Sequence, residues 1–162
     1  MYKRQIYNRF AIFLGDTGQI EKSLANYRRA AELNTHHVLY FSISGQLEKL
    51  GRNEEALAAI KKSIEIKSTL LETQVAHGLL LQKLGKREEA LQAYLKAYNL
   101  APADPRPNYH LALMYARLGN KQAALQHFEI LKSIAPQDAQ GIEKLVSAAV
   151  RKTSVKFLQI KI

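Results

Sequence analysis

The residue types that could do chemistry are few and scattered. Five histidines occur, at His36, His37, His77, His110 and His127. A zinc site would need two or more of them converging on one helix face with a carboxylate nearby, and no such spacing is present. His77 falls at a leucine-type core position and reads as a buried or half-buried side chain. The chain has no cysteine, which excludes disulfides, thiolate metal sites and cysteine nucleophiles together. The pairs Glu54–Glu55 and Glu88–Glu89 could be offered as acid–base carboxylates. Each pair, however, opens an expected helix, where an acid is stabilised by the positive N-terminal end by about 0.3–1 kcal/mol. The stretch GLLLQKLGK at 78–86 has the glycines and lysine of a phosphate loop. It carries six intervening residues instead of four, and Arg87 stands where Ser or Thr must reach magnesium. No catalytic, metal or cofactor-binding residue is assigned, no cofactor is implied, and the chain is not expected to be an enzyme.

The elements that carry these residues are written several times. KLGRNEEALAAI at 49–60 returns as KLGKREEALQAY at 83–94 and as RLGNKQAALQHF at 117–128. Gly18, Gly51, Gly85 and Gly119 anchor the copies at spacings of 33 and then 34 residues, a period that demands a repeat architecture. Before each glycine apolar residues recur at helical spacing (Leu111, Met114, Tyr115, Leu118), and they do so again after it (Ala124, Leu125, Phe128, Leu131). Each copy is therefore two helices joined at a glycine able to take the left-handed conformation that ends a helix. Ala11, Ser44, Gly78 and Ala112 form a column of small residues in the first helices, and Ser23, Ala56, Ala90 and Ala124 one in the second. Tyr27, Ile60, Tyr94 and Phe128 follow one helical turn later. Leu33, Ile66, Leu100 and Ile134 close the second helices, and Pro102 and Pro136 bar two of them from continuing.

These columns resemble the tetratricopeptide repeat, most fully in PNYHLALMYARLGNKQAALQHFEILKSIAP, through Leu111, Ala112, Tyr115, Gly119, Ala124, Phe128 and Pro136. The aromatic that opens the pattern is kept as Tyr7 and Tyr40 and replaced by Gln74 and Asn108. Thr35 and Ser68 stand where the closing proline is expected. The resemblance implies an all-α, right-handed α-solenoid of stacked antiparallel helix pairs in a single domain, with repeats at about 4–36, 37–70, 71–104 and 105–138. QDAQGIEKLVSAAVRK is expected to cap the array as a helix over about 138–152, with Ile142, Leu145, Val146 and Ala149 on one side. The tail at 153–162 suits either a strand-like segment or a continuation of that helix. At the other end, either Tyr7 and Phe10 lie at an open edge or the chain belongs to a longer array.

The resemblance also implies that stacked first helices line a concave groove that takes peptides. Its positions here are Asn8, Ile12, Phe41, Gly45, Val75, Leu79, Tyr109 and Leu113, flanked by Glu72, Arg106 and His110. One branch of the family clamps the C-terminal carboxylates of chaperones with Lys, Asn and Arg. In one register those positions hold Asn8, Ile12, Ser42, Glu72 and Ala76, and in the next Phe41, Gly45, Ala76, Arg106 and His110. Neither register makes the clamp. The expected partner is another protein that offers apolar side chains, such as an amphipathic helix or hydrophobic peptide. The plainer alternative for Ile12, Val75, Leu79 and Leu113 is helix-to-helix packing.

With 24 Lys plus Arg against 14 Asp plus Glu the net charge is +10, a field that favours acidic partners. The cations are dispersed except in RKTSVKFLQIKI, so nucleic acid ranks behind protein as a partner. Lys49, Lys83 and Arg117 form a ladder one repeat apart that reads as a solvated helix face. A second class of function is self-assembly into a homo-oligomer through the tail or the N-terminal edge. No apolar run reaches the ~18 residues of a membrane span, and no signal peptide is read, which favours a cytoplasmic location.

Overall fold

A computed structural model describes the backbone of residues 2–158 and the side chains of residues 2–150. The described residues form nine α-helices and no strand, in two compact units, residues 1–86 and 87–162. The first unit contains α1 (Tyr2–Asp16), α2 (Ile20–Leu33), α3 (His37–Lys49), α4 (Asn53–Ile66) and α5 (Leu71–Lys83). The second contains α6 (Arg87–Leu100), α7 (Pro105–Leu118), α8 (Lys121–Ile134) and α9 (Pro136–Leu158). Short turns make α1–α2, α3–α4 and α7–α8 close antiparallel pairs, and α2–α3, α4–α5, α6–α7 and α8–α9 also pack together. This is the all-α helix-pair architecture expected from the repeat.

The turn is built identically each time. Gly18, Gly51, Gly85 and Gly119 have φ of 77°, 72°, 75° and 76°. The residue after each donates its N–H five residues back, to Leu14, Leu47, Leu81 and Tyr115, at 2.8–2.9 Å. That is the Schellman closure, which needs a residue at positive φ. At Gly119 an added Cβ would meet nothing within 4 Å, so only the backbone conformation opposes it. Gly119→Ala is accordingly expected to lower stability by about 1–2 kcal/mol, the cost of left-handed backbone for an L-residue, as read by urea denaturation.

The paired acids lie at the helix starts where the sequence places them. Glu54, Glu55, Glu88 and Glu89 lie in the first turns of α4 and α6. The α8 copy has no acid there, and Asn120 caps it instead, its Oδ1 accepting from the Ala123 N–H at 3.2 Å.

The columns of small residues are where paired helices touch. Ala11, Ser23, Ala56, Ala90, Ala112 and Ala124 are fully buried, and Ser44 nearly so. The two serines bury a hydroxyl at no loss, because Ser23 Oγ donates to Ala11 O at 2.6 Å and Ser44 Oγ to Ala56 O at 2.9 Å. Tyr27, Ile60, Tyr94 and Phe128 are all buried one turn further on. The closing residues Leu33, Ile66, Leu100 and Ile134 end their helices as expected but remain exposed.

Pro136 begins α9, which covers the last pair. Ala139, Ile142 and Val146 bury against Ala112, Ala116, Ala124, Phe128 and Leu131, with Ala149 and Val150 partly buried beside them. Leu145, expected on the same face, points outward at 59% exposure. Helix α9 continues to Leu158, so residues 153–158 extend the cap helix; the side chains of the tail, and residues 159–162, lie outside the described residues.

Candidate functional site

In the first unit the predicted groove residues differ in fate. Ile12 on α1 is 46% exposed and Phe41 on α3 is 36% exposed, while Asn8 is half-buried. Gly45, one turn after Phe41, leaves room: an added Cβ there would meet no atom within 4 Å. Asn8 also lines a small cleft of about 190 Å³ with Arg4, Gln5, His36, Val38 and Leu39. On α5, in contrast, Val75 is 7% exposed and Leu79 half-buried, so Val75 belongs to the core although it shares a column with Phe41. His77 is half-buried, as its leucine-type position predicts.

In the second unit Tyr109 and Leu113 pack against the core cluster beneath α9. His110 is half-buried, its ring stacked on Tyr94 at 4.6 Å and edge-on to Tyr109 at 5.3 Å. Burial pushes its pKa down to about 4, so it is neutral at ordinary pH. Arg106 is exposed but committed: Nε and Nη2 donate to the two oxygens of Asp104 at 3.0 and 2.8 Å. Asp104 also caps α7 by accepting from the Arg106 N–H at 2.9 Å, and Arg106 holds its carboxyl below the usual carboxylate range. The cation that the sequence offers a partner's carboxylate is thus already neutralised within its own helix start.

A buried polar cluster in the same unit is not evident from the repeat pattern. Asn108, fully buried, donates from Nδ2 to Pro102 O at 2.8 Å and Asp104 O at 3.0 Å. Its Oδ1 is therefore the acceptor toward His127 Nδ1, 2.9 Å away, which fixes that histidine as the Nδ1–H tautomer. The His127 ring lies edge-on to Tyr98 and parallel to Tyr115, and burial lowers its pKa. In the first unit Gln74 plays the same part, donating from Nε2 to Ser68 O at 3.1 Å, again six residues back. The two residues that depart from the repeat's opening aromatic thus tie down the loops between repeats. Their amide side chains were the available signal.

Charges elsewhere are paired along the helix faces. Arg52 holds Glu55 through two bonds of 2.6 and 2.7 Å, and Arg28 approaches the same carboxylate at 3.4 Å. Arg52 thereby keeps the Glu55 carboxyl below its ordinary pKa. Lys83 of the cationic ladder pairs with Glu48. Between α2, α3 and α4 a cleft of about 400 Å³ has an apolar floor of Ala31, Ile43, Leu47 and Ala59, with Lys62 over the Tyr40 ring at 5.6 Å. None of the predicted groove residues lines it. Among the described residues no cluster of three His, Asp or Glu could hold a metal, and no helix is long and apolar enough to cross a membrane.

The tetratricopeptide repeat family model matches residues 4–142. A tetratricopeptide repeat protein from Parabacteroides merdae superposes with a TM-score of 0.87 at 16% identity over 92% of this chain, which spans 60% of that protein's length. The MamA protein superposes at 0.78, with 18% identity over 94% of this chain and 88% of MamA. YrrB, described as a TPR protein with an unusual peptide-binding site, gives 0.62 and 20% identity over 85% of this chain and 90% of its own. No curated protein matches by sequence. At these identities the structures establish likeness of fold.

Proposed function

Since the chain belongs to the tetratricopeptide repeat family, its match covering residues 4–142, we propose that it is a non-enzymatic adaptor that binds an apolar peptide or amphipathic helix of another protein. The observation that carries this reading is the exposure of Ile12 and Phe41 at non-repeated positions of the first helices, beside the open space at Gly45. Large apolar side chains left in water beside open space suit an incoming apolar anchor. Asn8 supplies a polar group at the edge of that surface. The neutralisation of Arg106 by Asp104 further disfavours a carboxylate-clamp partner. YrrB, which is similar in fold, is described as having a peptide-binding site, and this supports the same class of ligand here.

Two substitutions test the reading. Phe41→Ala is expected to reduce partner capture at least tenfold while lowering stability by only about 1–2 kcal/mol, because the residue is 36% exposed. Gly45→Leu is expected to occupy that open space and reduce capture to the same degree, while removing a mid-helix glycine that costs about 0.5–1 kcal/mol relative to alanine. Capture measured by quantitative pull-down, with melting followed by circular dichroism, checks both. Unchanged capture with a lowered melting temperature would make Phe41 a core residue and end the proposal.

A further inference from the structure

The cleft between α2, α3 and α4 has a counterpart in the second unit, and the two differ in what fills them. In the first unit the opening holds about 400 Å³ over a floor of Ala31, Ile43, Leu47 and Ala59. That volume lies in the range of small-molecule pockets, roughly 300–1,000 Å³. Gly18 and Gly51 correspond to Gly85 and Gly119 two repeats on, so α6, α7 and α8 take the places of α2, α3 and α4. In that register Ile43 becomes Leu111 and Leu47 becomes Tyr115, but Ala31 becomes Tyr98 and Ala59 becomes His127. The Tyr98 and His127 rings meet edge to face at 5.0 Å, and His127 lies parallel to Tyr115 at 5.8 Å. Where the second unit seats two rings of its own, the first has two methyl groups and open volume.

The rim changes in step with the floor. Arg28, Glu32, Glu55 and Lys62 border the first cleft, and the same register gives Leu95, Asn99, Ala123 and Ile130, none of them charged. Three of the four charges are already paired. Arg28 reaches Glu55 at 3.4 Å, Glu55 also accepts from Arg52 at 2.6 Å, and Glu32 lies 3.6 Å from Arg29. Lys62 has no acidic partner among the described residues, and its ammonium stands over the Tyr40 ring at 5.6 Å. Glu55 and Lys62 are two helical turns apart on α4, which sets this cation roughly 10 Å from the paired end of the cleft.

We infer that the cleft is a binding site for a small aromatic carboxylic acid, its ring laid over Ala31 and Ala59 and its carboxylate held by Lys62. The ring follows from the sister position, where the chain seats rings of its own. The negative charge follows from Lys62. Glu32 and Glu55 on the same rim favour a monoanion over a phosphate ester, which carries about −1.5 to −2. None of the residues proposed to bind a peptide lines this cleft, so the site stands or falls independently of the groove.

The probe is indole-3-propionate, with its neutral amide as control, titrated into the full isotope-labelled chain and followed by backbone amide NMR. Saturable shifts are expected at Ala31 and Ala59, with a Kd below about 1 mM. The amide should bind about threefold to fivefold more weakly, the size expected of an exposed ion pair. Lys62→Gln should remove that difference and leave the affinity for the amide unchanged. Ala31→Tyr with Ala59→His, which writes the floor of the second unit into the first, should weaken both ligands at least tenfold. Lys62→Gln, at an exposed position, keeps the test decisive should the filled variant fail to fold. Absence of saturable shifts up to about 10 mM, an acid–amide difference that survives Lys62→Gln, or undiminished binding to the folded, filled variant would overturn the inference. So would tighter binding of the peptide acetyl-Asp-Trp-Asp-amide than of indole-3-propionate, since the occupant would then be a side chain of a partner protein.

Discussion

Replacing Asn108 by leucine is expected to lower the unfolding free energy by about 3 kcal/mol. Leucine fits the volume, but it donates nothing to Pro102 O and Asp104 O and accepts nothing from His127 Nδ1. Asn108 is fully buried and His127 is 5% exposed, so water cannot fully replace those bonds. A buried polar group left without a partner costs about 1–3 kcal/mol, and three groups are affected here. The loss should be read by urea denaturation, with hydrogen exchange placing the weakened amides in α7 and α8. Asn108→Asp, which keeps an acceptor for His127 but turns its second oxygen toward Pro102 O and Asp104 O, should recover none of the loss. A change below about 0.5 kcal/mol for Asn108→Leu, the size expected of an unremarkable surface substitution, would mean that the loop before α7 is not held by this side chain.

The second large effect is acid sensitivity. His110 is held near pKa 4 by burial against Tyr94, and His127 is also lowered by burial. The folded pKa lies below the unfolded value of 6.5, so the folded protein holds fewer protons in the window between them. Stability from this source is fully present above pH 6.5 and is lost as pH falls from 6.5 toward 4. For His110 the displacement corresponds to roughly 3 kcal/mol. Melting temperature measured from about pH 7.5 down to about pH 4 should therefore fall steeply. In His110→Phe, where a ring can still stack on Tyr94 without a proton to bind, the fall should be distinctly shallower. Parallel curves for the two proteins would show that His110 is not kept neutral by the fold.

Much of the scaffold can be read from the residues because its causes are local. Glycines at a 34-residue period require the turn, and alanines or serines at fixed columns require close helices, whatever surrounds them. The candidate binding residues are harder, since their fate depends on neighbours in the fold. Phe41, Val75 and Tyr109 share one column, yet Phe41 stays partly in water, Val75 is buried, and Tyr109 packs under the capping helix. The commitment of Arg106 has a legible sign, because an aspartate two residues before it at a helix start is a typical cap. Gln74 and Asn108 are visible as departures from the pattern, but their partners lie six residues back in loops whose path the pattern does not specify. The outward stripe of Ile6, Phe10 and Phe13 looks like ordinary repeat core in sequence. Only the packing reveals that these three side chains are exposed.

The repeated columns build the scaffold, and on the proposed function partner recognition falls to exposed, non-repeated residues of the first helices. Site-specific photocrosslinking tests this division of labour directly, and it works with any partner present in a cell extract. A photoreactive benzoylphenylalanine placed at Ile12 or Phe41 should yield a defined crosslinked species, and one placed at the exposed Lys61 of α4 should not. Crosslinking from Lys61 with none from Ile12 or Phe41 would contradict the account.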